Sequence, residues 1–250
     1  MQYYHYTYPR FLKAVAFIGL AIISLPGCST GVDERIRRVY ALGRHSSEPN
    51  KDRIEASLRD EDRDVRATAL VVMGTVDDDR ARRMAAGALQ DPDGMVRAVA
   101  VTLCGAGADP ETIRLLTALA TRDPVWQVRS RALDAIAASD DPAVREAFVS
   151  ALSDSVRHVR LAALRGGIGH PGLLPADRLS DLVVSDPVWE NRVEAARALG
   201  ASTEPTAYAG LDAAVEDPNE FVRATAARER RALENAGVPR TVAASLLTIR

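Results

Sequence analysis

Along the chain, apolar side chains recur in steps of three and four. Val96, Ala100 and Leu103 are one such series. That spacing puts them on one face of a helix, and a strand would need alternation instead. The pattern then returns as a whole. Asp60 and Arg66 are followed in phase by Asp91 and Arg97, Asp123 and Arg129, Asp154 and Arg160, Asp186 and Arg192, and Asp217 and Arg223. Successive arginines are 31, 32, 31, 32 and 31 residues apart. The ninth residue after each aspartate is alanine: Ala69, Ala100, Ala132, Ala163, Ala195 and Ala226. The residue before each arginine is valine, except Asn191. A unit of this length cannot hide its own apolar face, so the period predicts a stack in which each copy covers the next.

Each copy divides into two predicted helices, A and B. Helix B starts just after the aspartate and is expected to end near glycine, as at Gly74, Gly105 and Gly200, because glycine accepts the left-handed closing conformation. Helix A is expected to open at proline, as at Pro110, Pro142, Pro175 and Pro205, where the missing N–H costs nothing. It ends on an apolar residue two before the next aspartate, such as Leu58, Leu89 or Leu152. The glycine-rich run Gly166–Gly172 reads as an interruption that loosens the fourth copy's turn. The acidic runs Asp77–Asp79 and Asp140–Asp141 read as solvated helix starts.

The run Leu-x-Asp-Pro-x-x-x-Val-Arg-x-x-Ala resembles HEAT repeats, specifically the short type also found in phycobilisome-lyase-like proteins. The resemblance covers residues 33–250. It implies an all-α fold, a right-handed α-solenoid of about six HEAT-like helix pairs with helical caps. Residues 33–43 read as a lone N-terminal helix B and residues 239–249 as a lone C-terminal helix A. The resemblance also implies that the six Asp and Arg pairs form an internal ladder between neighbouring repeats. That use of the arginines competes with tracking of phosphates by evenly spaced cations.

Aromatics are only 5% of the chain, so the repeated run DPVWQVR and DPVWENR draws the eye to Trp126 and Trp189. Both stand three residues after the ladder aspartate. Each is expected to plug a helix turn or, if exposed, to anchor a partner.

The N-terminus is a separate object. Arg10 and Lys13 precede Ala14–Leu25, twelve residues without a charge, and then Leu25-Pro-Gly-Cys28. Twelve apolar residues are too few to span a bilayer but suit a secretory signal. The Leu-x-Gly-Cys end resembles the lipobox of bacterial lipoproteins, with Pro26 the unusual position. This predicts a signal peptide over 1–27, lipidation of Cys28, a short tether over 28–32 and a repeat domain over 33–250. The chain is then exported and lipid-anchored to a bacterial membrane. Lipidation of Cys28 leaves Cys104 without a disulfide partner. Cleavage would remove Arg10 and Lys13 and no acid, taking the net charge from −2 to −4. Acidity and export together argue against nucleic acid as a partner.

No short catalytic motif is present. The residues after His45, His158 and His170 are Ser, Val and Pro, which does not fit the His-Glu pairs of the HEAT-fold di-iron hydroxylases. No catalytic residue, metal or cofactor is expected. The expected function is a non-catalytic, membrane-tethered adaptor that binds an unidentified protein partner. The alternative is a lyase-like enzyme or small-ligand binder.

Overall fold

The computed structural model describes residues 31–240 apart from 106–107. The signal peptide, Cys28 and most of the expected C-terminal helix A over 239–249 lie outside the described residues. Those residues are helical, with no strand among them, and they gather into two compact units that divide between Leu115 and Leu116.

The first unit contains α1 (Gly31–Arg44), α2 (Glu48–Ala56), a 3-10 turn (Ser57–Arg59), α3 (Arg63–Val76), α4 (Asp78–Ala88) and α5 (Gly94–Cys104). Helix α6 (Pro110–Arg122) runs across the division. The second unit continues with α7 (Trp126–Ile136), α8 (Pro142–Ala151), α9 (Arg157–Gly169), α10 (Ala176–Ser185), α11 (Trp189–Ala201), α12 (Ala207–Ala214) and α13 (Glu220–Asn235). Within the first unit the B helices α1, α3 and α5 pack in chain order, with α4 against α3 and α5. Within the second, α7, α9, α11 and α13 pack in chain order, and the A helices α10 and α12 pack on each other and on α11. Each unit is thus a solenoid stack of helix pairs. The lone N-terminal helix B is present as α1. It starts at Gly31, so the last two residues assigned to the tether are helical.

The repeat explains the core position by position. All six phased alanines are 0% exposed. They lie on the B helices α3, α5, α7, α9, α11 and α13, where a small side chain lets packed axes approach to the usual 8–10 Å. Four residues after each alanine the core receives Met73, Cys104, Ile136 and Leu199 in four of the repeats. Cys104 is therefore a small core hydrophobe. Burial pushes its thiol up to about 12, with the Asp109 carboxylate adding to the push.

The fourth repeat departs from this pattern and corrects one expectation. Gly166 and Gly167 do not loosen a turn; they lie inside α9. Their phase is that of Ala135 and Ile136 or Ala198 and Leu199, so glycine leaves two core positions empty. Phe148 of α8 fills one and Leu174, in the loop before α10, fills the other. A Cβ on Gly166 would collide with the Phe148 ring, and one on Gly167 would stand 2.6 Å from Leu174 Cδ1. Phe148 is fully buried.

Other helix ends also differ from expectation. Gly74 and Gly200 lie inside α3 and α11, and only Gly105 closes its helix, with φ 49°. Gly200 is small because Glu229 of α13 packs over it. Pro110 and Pro142 do open α6 and α8. Pro175 instead occupies the capping position before α10, and Pro205 lies in the turn before α12. Asp77 and Asp141 cap α4 and α8, accepting the N–H groups of Arg80 and Ala143.

The glycine–phenylalanine exchange yields a prediction. Gly166→Ala should destabilise the second unit by about 1–3 kcal/mol, the usual cost of overpacking a filled core. Gly169→Ala, where a Cβ meets nothing within 4 Å, should change the thermal midpoint little. Equal midpoints for the two variants would refute the compensation.

Candidate binding surface

Each B helix begins three residues after its ladder aspartate, and the aspartate shapes the turn that leads into it. The carboxylates of Asp60, Asp91, Asp123, Asp154, Asp186 and Asp217 each accept the backbone N–H two residues ahead, at 2.7–2.9 Å. The arginine one turn into the helix reaches back over the same loop. Nη1 of Arg66, Arg97, Arg129, Arg160, Arg192 and Arg223 donates to the carbonyl of its own repeat's aspartate, at 2.7–3.0 Å.

The other edge of the guanidinium links repeats. Arg66 grips Asp91 through Nε and Nη2, both at 2.8 Å. Arg129 does the same to Asp154 at 2.8 and 3.0 Å. Arg160 holds Asp186, and Arg192 holds Asp217, each at 2.7 and 3.0 Å. Two parallel charge-assisted bonds fix orientation as well as distance. Arg223 has no carboxylate partner among the described residues. At Asn191, the exception to the valine rule, the buried amide donates to Asp186 Oδ2 at 3.2 Å and to the Arg157 carbonyl at 3.3 Å. It adds a brace to the most buried rung.

Burial alone would raise the carboxyls of Asp154, Asp186 and Asp217. The facing guanidinium and the N–H two residues ahead outweigh it and hold all three below the usual carboxylate range. The engaged arginines are therefore structural. They present neither free charge nor free donors on the side that faces the next repeat.

The two tryptophans occupy the first helical positions of α7 and α11, and their partners come from the next repeat. Trp126 stacks on His158 of α9, with centroids 4.8 Å apart and planes inclined 20°. Trp189 stacks on Phe221 of α13 at 5.5 Å and 28°. Both spacings are 32 residues, from the third position after one aspartate to the fourth after the next. His158 and Phe221 were legible by that register but carried no motif of their own. Trp126 and His158 are half-buried, whereas Trp189 is 39% and Phe221 58% exposed. An exposed pair of stacked rings is an uncommon surface feature, and contiguous exposed apolar area marks contact sites.

The Asp134 carboxyl of α7 is pushed up to about 6 by desolvation, against the pull of Arg165 and Arg131. His45 and His170 are exposed. Among the described residues no three His, Cys, Asp or Glu side chains group in a metal-binding arrangement, and no helix is long and apolar enough to cross a membrane.

Residues 50–137 match the family of HEAT repeats. No curated protein matches the chain in sequence. Among solved structures, the archaeal HEAT-like repeats protein from Thermococcus onnurineus is similar at 14% identity and a TM-score of 0.55, over 84% of this chain and 99% of that one. The YibA protein of Escherichia coli aligns at 17% identity and a TM-score of 0.55, over 85% of this chain and 80% of the other. The complex of CpcE and CpcF of phycocyanin lyase from Nostoc aligns at 18% identity over 84% of this chain and 97% of that chain, with a TM-score of only 0.41. The first two likenesses establish the helical-repeat fold; the third carries no inference about activity.

Two predictions test the ladder. Asp186→Ala strands the buried Arg160 guanidinium and should cost about 3–5 kcal/mol in urea unfolding. Arg223→Gln, which breaks no ion pair, should cost under about 1 kcal/mol. The pH dependence follows from the depressed carboxyls. Their stabilisation is present above the unfolded pKa of about 3.9 and is lost as pH falls through the lower folded values. Unfolding free energy should therefore drop below about pH 4. A ladder in which the aspartates titrate normally would show no such excess loss relative to an Asp154→Asn, Asp186→Asn and Asp217→Asn variant.

Proposed function

We propose that this chain is a non-catalytic scaffold, tethered to a bacterial membrane by a lipid on Cys28 and exported to the cell envelope, where it binds another protein. The repeat fold is compatible with protein binding, since stacked helix pairs offer extended area. The observation that carries the choice of contact is the Trp189–Phe221 pair. Its rings are exposed, while Arg192, the ladder arginine on the tryptophan's own helix, is consumed internally by Asp217. Tryptophan in such a setting is a common source of interface energy.

The tether rests on the basic start, the short apolar run and Gly27-Cys28. Two or more acyl chains hold a protein on a bilayer where one does not. The chain then acts without a catalytic residue or cofactor, and the partner docks against the Trp189–Phe221 edge of the second unit.

Palmitate incorporation and membrane pull-down from the native host test both halves. Cys28→Ser should abolish incorporation of labelled palmitate. Crosslinking with the wild-type chain should recover a partner that Trp189→Ala, with an unchanged circular-dichroism melt, recovers at least about tenfold less well. Retention of label in Cys28→Ser would sink the anchor. Undiminished recovery with Trp189→Ala would sink the aromatic contact.

A further inference from the structure

The first rung of the ladder is built differently from the rest. Arg35 of α1 stands in phase with the later arginines. Its Nε lies 3.0 Å from Asp60 Oδ2 and its Nη2 3.5 Å from Glu61 Oε1. Yet the Nε–H is buried and makes no hydrogen bond. In Arg66, Arg129, Arg160 and Arg192 the same group donates at 2.7–2.8 Å. Arg35 is thus near its carboxylate without the two-pronged grip that fixes the other rungs.

Arg35 borders a cavity of about 530 Å³. Arg38 of α1 and Arg53 of α2 line it too, over a floor that includes Val39 and Leu42. The one acidic group in the lining is Asp60, whose carboxylate is already occupied by the Asp62 N–H at 2.9 Å and by Arg35. Arg38 has Glu34 3.7 Å away, with both side chains more than two-thirds exposed, so that pair is weak. Arg53 has no carboxylate partner among the described residues. Within the lining three guanidiniums face one carboxylate; Glu61 and Glu34, which approach Arg35 and Arg38, are 87% and 74% exposed and lie outside it. The volume falls within the usual range for small-ligand sites.

We infer that this cavity binds a phosphate group. A guanidinium fork matches phosphate oxygens and donates in pairs, which a lone ammonium cannot do. The ligand gives the exposed guanidiniums of Arg38 and Arg53 the anion they lack. The apolar floor accommodates the carbon body that a phosphate ester carries. The phosphate belongs either to a membrane phospholipid or to a free phosphorylated molecule. Residue 28 is three positions before the first helical residue, a reach of about 10 Å at most. If Cys28 is acylated, α1 and its cavity lie within reach of lipid headgroups. That last step rests on the anchor reading; the phosphate site does not.

The test uses the full chain in a neutral detergent. Inorganic phosphate is titrated by calorimetry. Phosphatidylglycerol and phosphatidylcholine are compared in mixed micelles. The double variant R38Q/R53Q removes two exposed side chains. R122Q/R145Q, also exposed and in the second unit, controls for general loss of positive charge. Melts by circular dichroism check that both fold. Saturable phosphate binding is expected, weakened about tenfold or more in R38Q/R53Q and unchanged in R122Q/R145Q. Preference for phosphatidylglycerol, displaced by phosphate, assigns the site to a lipid headgroup. Phosphate binding without that preference assigns it to a soluble phosphate. Absence of saturable binding to any of the probes, or equal losses in the two double variants, overturns the proposal. None of these readouts requires acylation of Cys28, so a failure here leaves the anchor standing, and a loss of the anchor leaves this site standing.

Discussion

A guanidinium that must satisfy two partners at once sets the geometry of this protein. One edge of each engaged arginine takes the carbonyl of its own turn, and the other takes the carboxylate of the following repeat. Neither contact is adjustable alone, because the guanidinium is planar and its donors are fixed relative to one another. Within each unit, the B-helix starts joined by such a rung are therefore held at one distance and one angle from each other. Packing supports the same spacing, since the phased alanines let the helices close to contact. A larger side chain at Ala163 or Ala195 would separate the helices and stretch a rung whose bonds are already 2.7–3.0 Å.

That spacing produces the surface. Once the helix starts are aligned, the third residue after one aspartate and the fourth after the next are neighbours. Where both are aromatic they stack, as in Trp126 with His158 and Trp189 with Phe221. In the first unit a polar contact joins the third residue after one aspartate to the second after the next: Arg63 pairs with Asp93 at 3.2 Å. The exposed rings are consequences of the ladder rather than decorations on it. A repeat inserted or removed would move them as a set.

The recurrence of Asp, Arg and Ala was readable because these residues obey the repeat and little else. Their roles need only one neighbour, and that neighbour is always another copy. Helix ends were harder. Gly200 looks like a terminator in sequence, but its smallness answers to Glu229 on a different helix. Gly166 and Gly167 look like a break, yet they are vacancies in a helix that Phe148 and Leu174 fill from either side. Glycine gives the same letter to a left-handed cap and to a close approach, and only the neighbour distinguishes them. The stacked partners of the tryptophans could have been found by carrying the phase one residue further. The cavity beside Arg35 could not, because it depends on how far the end of α2 stands from α1.

Charge availability separates the two kinds of surface this chain offers. In the repeats where a following aspartate grips the guanidinium, the positive charge is neutralised in place, and what remains outward is apolar or mixed. At the first rung the pairing is incomplete, and two further arginines face the same space without strong acidic partners. An overall acidic chain can hold a locally basic cavity because screening confines such fields to about 10 Å at ordinary ionic strength. The periodic interior of the stack thus favours contact by area and rings, while its irregular end favours recognition of a compact anion.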